Sequence, residues 1–348
     1  MGVISILLSF SLITLYNISS HLFWSQFLWA IFLIVIVFLT SKLNWRTLIN
    51  YKWLVFGIYG TVIILLLIAL FFSRPIRGTN GWITIGPPDR GVQFQPAELM
   101  KVALIILYAQ YFSRKHLSVA NLRTIFATFL YFLAPALIIL KQPDLGSAFI
   151  VFGIWFGFLL VSGLPFRKIV ASLLIFAFIA GISWQLVLRP YQKDRIVGFL
   201  FPEHDPLGIN YNVTQSKIAI GSGGWFGKGF GQGTQVQLGF LPEAHTDFIF
   251  ATFVEEWGAL GGLFLIVGLG YVVFRIIKIG MMSEENFGRF VSIGTAIMIL
   301  IQSFLNIGFN LGILPVVGIP LPFLSYGGSH LLTTALLIGI IQNIAKER

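Results

Sequence analysis

The sequence contains no cysteine, which excludes disulfides, thiolate nucleophiles and cysteine-based metal sites. Histidine is scarce as well. There are five, none in a His-x3-His pairing, so no structural metal site is expected. Charge is in shortest supply: only 10% of the 348 residues are Asp, Glu, Lys or Arg, against roughly 25% in soluble domains. A soluble globule could not cover its surface with so few polar groups. Acidic residues are the rarer sign, 13 against 23 Lys+Arg, for a formal net charge of +10. That surplus does not read as nucleic-acid binding, because the basic residues are not interleaved with aromatics in a polar domain. They stand in short clusters between apolar runs, the pattern of cytoplasmic loops on anionic lipid. A basic n-region is also missing, so Met1-Gly2-Val3-Ile4 reads as the start of a first membrane helix and not as a cleaved signal.

What is abundant is apolar: 57% of the chain is hydrophobic. Apolar runs long enough to span a bilayer lie at about 2–18, 22–40, 53–73, 96–113, 122–141, 145–162, 167–188, 247–275, 288–311 and 329–345. In lipid the backbone has no water to satisfy it, so these segments must be helical. The expectation is an all-α polytopic membrane protein of about ten transmembrane helices, forming one domain over 1–348. Alternate connections are rich in Lys and Arg: Lys42, Arg46 and Lys52; Arg114, Lys115 and Arg123; Arg167 and Lys168; Arg275, Lys278 and Arg289; Lys346 and Arg348. The others hold Arg74, Arg77, Arg90 and Lys141. The richer side is cytoplasmic, which places both termini inside. It also places the long connection between helices seven and eight, 189–245, outside. That connection holds Phe199, Phe201, Tyr211, Trp225, Phe226, Phe230 and Phe240, too apolar for disorder, and should fold back onto the membrane surface. Another outer stretch, 74–95, contains Gly-Pro-Pro and Trp82. A third, GILPVVGIPLPFLSYGG over 312–328, cannot be regular helix. Irregular apolar backbone at membrane depth requires a covering of protein or a wet cavity.

Against this background the few charges become the candidates for chemistry. Asp247 opens the eighth helix in Phe240-Leu-Pro-Glu-Ala-His-Thr-Asp-Phe-Ile-Phe250. It suits a helix cap, and equally a general base on a hydroxyl at the outer boundary. Glu243 and His245 could orient a substrate or be ordinary loop groups. Glu255 and Glu256 lie two turns deeper. At about 100° per residue Glu255 falls roughly 80° from the Asp247 face and Glu256 nearly opposite, so at least one must point into the bundle or a cavity. Glu98 and Lys101 are spaced to pair on one face of the fourth helix, after a well-placed Pro96. Asp144 fits a cap of the sixth helix. The glycine-rich Gly221–Gly233 has no preceding βαβ strand and no Gly-Lys-Ser/Thr ending, which makes it a poor Walker or Rossmann loop. Its amides with Lys228 could still hold a pyrophosphate.

Three segments carry a resemblance over nearly the whole chain: NIGFNLGILPVVGIPLPFLSYGGS (306–329), QSKIAIGSGGWFGKGFGQGTQ (215–235) and LPEAHTDFIF (241–250). They closely resemble the SEDS family (shape, elongation, division and sporulation) and look more like its RodA branch than its FtsW branch. The resemblance implies a peptidoglycan glycosyltransferase of the bacterial cytoplasmic membrane, serving cell shape and division, with its active site on the outer face. In that reading the 4-hydroxyl of GlcNAc on one lipid II attacks C1 of MurNAc on another. Undecaprenyl pyrophosphate leaves and the anomeric centre inverts. The family's essential aspartate falls on Asp247. Glu98 and Lys101 occupy its QPxExxK motif, which lines a central cavity there, and Lys101, Lys228 or Arg195 could offset the pyrophosphate charge. The implied partners are a class B penicillin-binding protein and the elongation machinery, since nothing here offers an acylatable nucleophile. No ligand set identifies a cofactor, and a divalent ion assisting the pyrophosphate stays open. One departure stands out: many relatives place a basic residue directly before the Trp of the first outer loop. Here Asn80-Gly81 precede Trp82, with Arg77 as the stand-in.

Two other classes fit the same composition. A flippase for lipid-linked precursors would place its essential charges near the midplane, for which Glu98, Lys101 and Glu255 are the candidates. A scaffold for a partner synthase would tolerate the loss of every one of these groups. Asp247 at the outer boundary favours catalysis.

Overall fold

The computed structural model describes all residues except 44, 46–50, 74–78, 87–90, 115–121, 164, 187, 202–207, 209 and 347–348. Arg46, Arg74, Arg77, Arg90, Lys115 and Arg348 therefore lie outside the described residues, and with them the expectation placed on Arg77. The described chain is mostly helical. The first seven helices are α1 (Gly2–Ile18), α2 (Ser20–Thr40), α3 (Lys52–Phe72), α4 (Pro96–Ser113), α5 (Leu122–Lys141), α6 (Leu145–Val161) and α7 (Phe166–Leu186). After α7 come three helices on the long connection: α8 (Pro190–Leu200), α9 (Tyr211–Gly223) and α10 (Thr234–Gln237). The chain ends with α11 (Ile249–Met281), α12 (Asn286–Asn310) and α13 (Gly328–Lys346).

A helix occupies each of the ten apolar runs. Six helices, α2, α3, α5, α11, α12 and α13, are long and apolar enough to cross a membrane. Their exposed faces carry large apolar side chains, with Trp53 88% and Phe72 82% exposed, a surface that lipid accepts and water does not. α4 is different. Nearly all of it from Pro96 to Phe112 is buried against α3, α5 and α6, so protein and not lipid surrounds its two charges. One element departs from the all-helical expectation. β1 (Ile83–Ile85) and β2 (Val92–Phe94) pair antiparallel, with Ile83 opposite Phe94 and Ile85 opposite Val92. Ile-Thr-Ile and Val-Gln-Phe have the two-residue period of strands, but over three residues that signal is lost in windows sized for helices.

The chain divides into two compact units, each drawn from three separate stretches. The first comprises Met1–Val35, Pro190–Arg275 and Ile299–Thr334; the second comprises Ile36–Arg189, Ile276–Met298 and Ala335–Arg348. In the second unit the core of α4 meets an aromatic group. Phe112 stacks on Phe158 at 5.8 Å between centroids, and the Tyr108 hydroxyl donates to Thr128 O on α5 (3.0 Å). In the first unit Phe10 of α1 packs edge-on to Phe253, Trp257 and Phe264 of α11.

Candidate active site

In the first unit, the stretch 311–327 between α12 and α13 is irregular, and its second half is buried, with Ile319, Leu321, Phe323, Leu324 and Ser325 at 1% exposure or less. Its backbone is satisfied by protein. Ser11 Oγ donates to Leu324 O (2.6 Å), Gln26 Nε2 to Ser325 O (3.3 Å) and Asn306 Nδ2 to Ile319 O (2.7 Å). This is the protein covering that irregular apolar backbone demands. The stretch in turn holds the segment carrying Asp247. Tyr326 N donates to His245 O (2.9 Å), Ser325 Oγ donates to Thr246 O (2.7 Å), and the Tyr326 and His245 rings lie 5.9 Å apart.

Asp247 sits in the turns that precede α11 and is half-buried. Two amides of α12 grip its backbone: Asn306 Nδ2 and Asn310 Nδ2 both donate to Asp247 O at 3.0 Å. The Asn310 side-chain oxygen accepts from Ala251 N (3.2 Å), serving the first turn of α11 as a capping acceptor. The Asp247 carboxylate lies against Gly318, where a Cβ would stand 3.4 Å from Oδ2. Beside it, Glu243 accepts from Thr246 Oγ1 (2.8 Å). Glu243 (φ 55°) and Phe323 (φ 64°) both hold left-handed backbone, a conformation costing roughly 1–3 kcal/mol that persists where the surroundings impose it and clusters at functional sites.

Two turns further along α11, Glu255 and Glu256 are both buried, at 0% and 3% exposure. Each has its own partner. Glu255 Oε1 accepts from Lys228 Nζ (2.6 Å), Thr234 Oγ1 (3.1 Å) and Gln235 N (3.1 Å), while Asn17 Nδ2 of α1 donates to both oxygens of Glu256. α11 breaks immediately after them, with Gly258 at φ 73°, ψ −177°. The glycine-rich stretch fills the break. Lys228 N and Gly229 N donate to Glu255 O and Glu256 O (2.9 and 3.1 Å), and Ala259 N and Leu260 N donate back to Gly224 O and Trp225 O. The approach is so close that a Cβ on Gly227 or on Gly258 would overlap the opposite backbone. Gly221–Gly233 is thus a strap across a broken helix. The Lys228 and Gly229 amides donate to α11, and the Lys228 ammonium to Glu255.

The second unit holds its own polar cluster, on α4. Lys101 Nζ pairs with Glu98 Oε1 at 2.5 Å, both buried. Asp144 caps α6 as expected, accepting from Ser147 N (2.9 Å) and Ser147 Oγ (2.7 Å), and it also accepts from Gln95 Nε2 (2.8 Å) at the start of α4. Burial pushes the Asp144 carboxyl up from its ordinary value, against the pull of the Ser147 hydrogen bonds and the Lys101 charge. In the first unit, Arg195 is exposed on α8 with its guanidinium 5.8 Å from the Tyr191 ring. Among the described residues no three His, Asp or Glu side chains group as metal ligands.

The FtsW/RodA/SpoVE family model of cell cycle proteins matches residues 1–348. The chain belongs to this family. Relatives include peptidoglycan glycosyltransferase MrdB of Escherichia coli K12, 41% identical over 84% of this chain and 77% of that protein. A probable peptidoglycan glycosyltransferase FtsW of Thiomicrospira cyclica is 38% identical over 85% and 74%. Among solved structures, a chain of a peptidoglycan synthase complex that coordinates polymerization and crosslinking aligns with TM-score 0.83 at 29% identity, covering 99% of this chain and 96% of that one. The rod shape determining protein RodA of Thermus thermophilus aligns with TM-score 0.74 at 26% identity, covering 100% and 95%.

Sequence reasoning missed the residues that hold this family's HTDF segment in place here: Ser11, Gln26, Asn306, Asn310 and Ser325. A signal was available for two of them. Asn306 and Asn310 are one turn apart at the end of a helix apolar enough to span a membrane, and amides inside such a helix need a polar partner.

Proposed function

We propose that this chain is an inverting peptidoglycan glycosyltransferase that polymerises lipid II, with Asp247 as the general base. The observation that carries the assignment is the grip on Asp247: two α12 amides fix its backbone and Gly318 leaves room at its carboxylate. A half-buried carboxylate held on a scaffold of that kind can accept the proton of the GlcNAc 4-hydroxyl as the oxygen bonds to C1 of MurNAc. The C1–O bond to undecaprenyl pyrophosphate breaks with its electron pair, and the product is a β-1,4 link. The placement in the membrane belongs to the same proposal. All ten helices cross the bacterial cytoplasmic membrane, both termini are inside, and the 189–245 connection and Asp247 lie on the outer face. The positive-inside bias of the loops supports this orientation.

A class B penicillin-binding protein supplies the crosslinking step in this reading. Support comes from the likeness to a chain of a synthase complex that couples polymerization to crosslinking. The test is glycan polymerisation from purified lipid II by the protein with its partner. Asp247→Asn should abolish polymer while leaving the protein folded and partner-bound. Normal polymer from that variant overturns the base assignment. A variant that fails to polymerise but still moves lipid II across vesicles would leave open a transport role for the wild-type protein, which the buried Glu98–Lys101 pair would then serve.

A further inference from the structure

Of the cations in this chain, Lys101 and Lys228 are committed to buried carboxylates at 2.5 and 2.6 Å. Two others in the first unit have no carboxylate partner among the described residues and share one cleft. Arg195 of α8 and Lys217 of α9 both line a cleft that is partly open to solvent. Asn210, Asn212 and Thr214 add neutral hydrogen-bonding groups to the same wall, and the far wall is the start of the irregular stretch, from Gly312 to Val316. Two cations with amides and a hydroxyl, and no acidic side chain among the described lining residues, make a site for a multiply charged oxyanion.

The cleft is tied to Asp247 in two ways. Lys217 follows Ser216, whose hydroxyl donates to Asn310 O (2.8 Å), and Asn310 is the residue whose amide grips Asp247 O. Gly312 on the cleft lining and Gly318 at the Asp247 carboxylate lie six residues apart on one irregular stretch, a reach of at most about 22 Å. The Lys217 side chain runs directly across Gly312, where a Cβ would overlap its Cε. That contact fixes the direction in which the ammonium enters the cleft.

We infer that this cleft binds the pyrophosphate of a lipid-linked saccharide, with Arg195 and Lys217 as its cationic contacts, and so places the attached sugar toward Asp247. The inference rests on the glycosyltransferase reading and assigns that reaction's anion site, which the sequence left among Lys101, Lys228 and Arg195. Neutralising the diphosphate here strengthens substrate binding and stabilises the leaving group.

The test uses the full-length protein with its partner in detergent, and two readouts. In polymerisation, Lys217→Gln and Arg195→Gln should each raise KM for lipid II about ten-fold, equivalent to ~1.4 kcal/mol. Asp247→Asn should instead act on kcat, and Lys217→Arg should restore most of the loss. In direct binding, undecaprenyl pyrophosphate should bind the wild type more tightly than undecaprenol does, and the two Gln variants should lose that preference. Unchanged KM and unchanged preference in well-folded variants overturn the cleft assignment while leaving the polymerase reading intact. Displacement by phosphatidylglycerol as effective as by undecaprenyl pyrophosphate also overturns it, making the cleft a general anionic-lipid site. A wild type that forms no polymer refutes the polymerase reading, and the binding arm still decides the cleft.

Discussion

The Lys228–Glu255 pair offers a quantitative test of how the strap is held. Glu255 is wholly buried, whereas the Lys228 side chain keeps 24% of its surface exposed. Removing one partner of a buried pair costs roughly 3–5 kcal/mol when a charge is left stranded. Lys228→Met strands the Glu255 carboxylate, but Thr234 Oγ1 and Gln235 N still donate to it, which brings the expected cost down to ~2–3 kcal/mol. Glu255→Gln is milder. The amide oxygen keeps the same two donors, and the lysine can turn to water while keeping its 2.7 Å contact with Thr234 Oγ1, so the loss should be ~1–1.5 kcal/mol. The double variant leaves no stranded charge and should cost ~2 kcal/mol, less than the sum of the single losses by ~1–2.5 kcal/mol. At about 2 °C per kcal/mol for a chain of this size, Lys228→Met lowers the apparent Tm by ~4–6 °C and Glu255→Gln by ~2–3 °C. Unfolding of a detergent-held membrane protein is commonly irreversible, so all variants are compared at one scan rate. Hydrogen exchange at the amides of Lys228, Gly229 and Ala259 reports whether the strap itself loosens. If Glu255→Gln proves as damaging as Lys228→Met, or the two losses add, the pair is not what holds the strap to α11.

Three further outcomes are expected. Gly227→Ala forces a side chain into left-handed backbone (φ 81°) and onto Glu256 O. With strain of ~1–2 kcal/mol and two strap hydrogen bonds weakened, it should lower stability by ~3 kcal/mol, read as apparent Tm and as protease cleavage within 223–233. Asn310→Leu removes a donor to Asp247 O and the acceptor at Ala251 N. Polymerisation should fall by ~10–100-fold through misplacement of the base, and full activity in this variant would show that the grip does not matter. Lys101→Met strands Glu98 in the buried interior of the second unit and should cost ~3–5 kcal/mol. Adding Glu98→Gln should recover part of that stability, and no recovery would mean that Lys101 serves something other than this pair.

How much of this was legible beforehand depends on how far apart the interacting residues lie. Helix positions were readable because lipid imposes one requirement on every spanning segment, a run of apolar residues about as long as the bilayer is thick. The Glu98–Lys101 pair was readable because both groups sit within one helical turn, and the Asp144 cap because its donors at Ser147 are three residues away. The β1–β2 hairpin was not, its strands being too short to outweigh neighbouring runs. Nor was the choice of partner for Glu255 or Asp247 accessible. Lys228 is 27 residues from Glu255, and Asn306 and Asn310 are 59 and 63 residues from Asp247.

The glycine-rich stretch shows why composition could not settle such a case. Repeated glycines with a lysine suit any arrangement in which backbone must come close to something that accepts hydrogen bonds, and both a phosphate and the end of a broken helix qualify. The sequence left Lys228, the lysine among the glycines, beside Lys101 and Arg195 as a cation for a pyrophosphate. In the folded chain the acceptors are the carbonyls of Glu255 and Glu256, and that lysine neutralises a buried carboxylate. Among the described residues, Arg195 and Lys217 line one cleft with no carboxylate partner, and no motif singled them out together. In a chain this poor in charge, Glu98 and Glu255 each take a lysine while Glu256 and Asp144 are served by amides and hydroxyls. The proposed anion site is therefore reached by subtraction, from cations that no described carboxylate has taken.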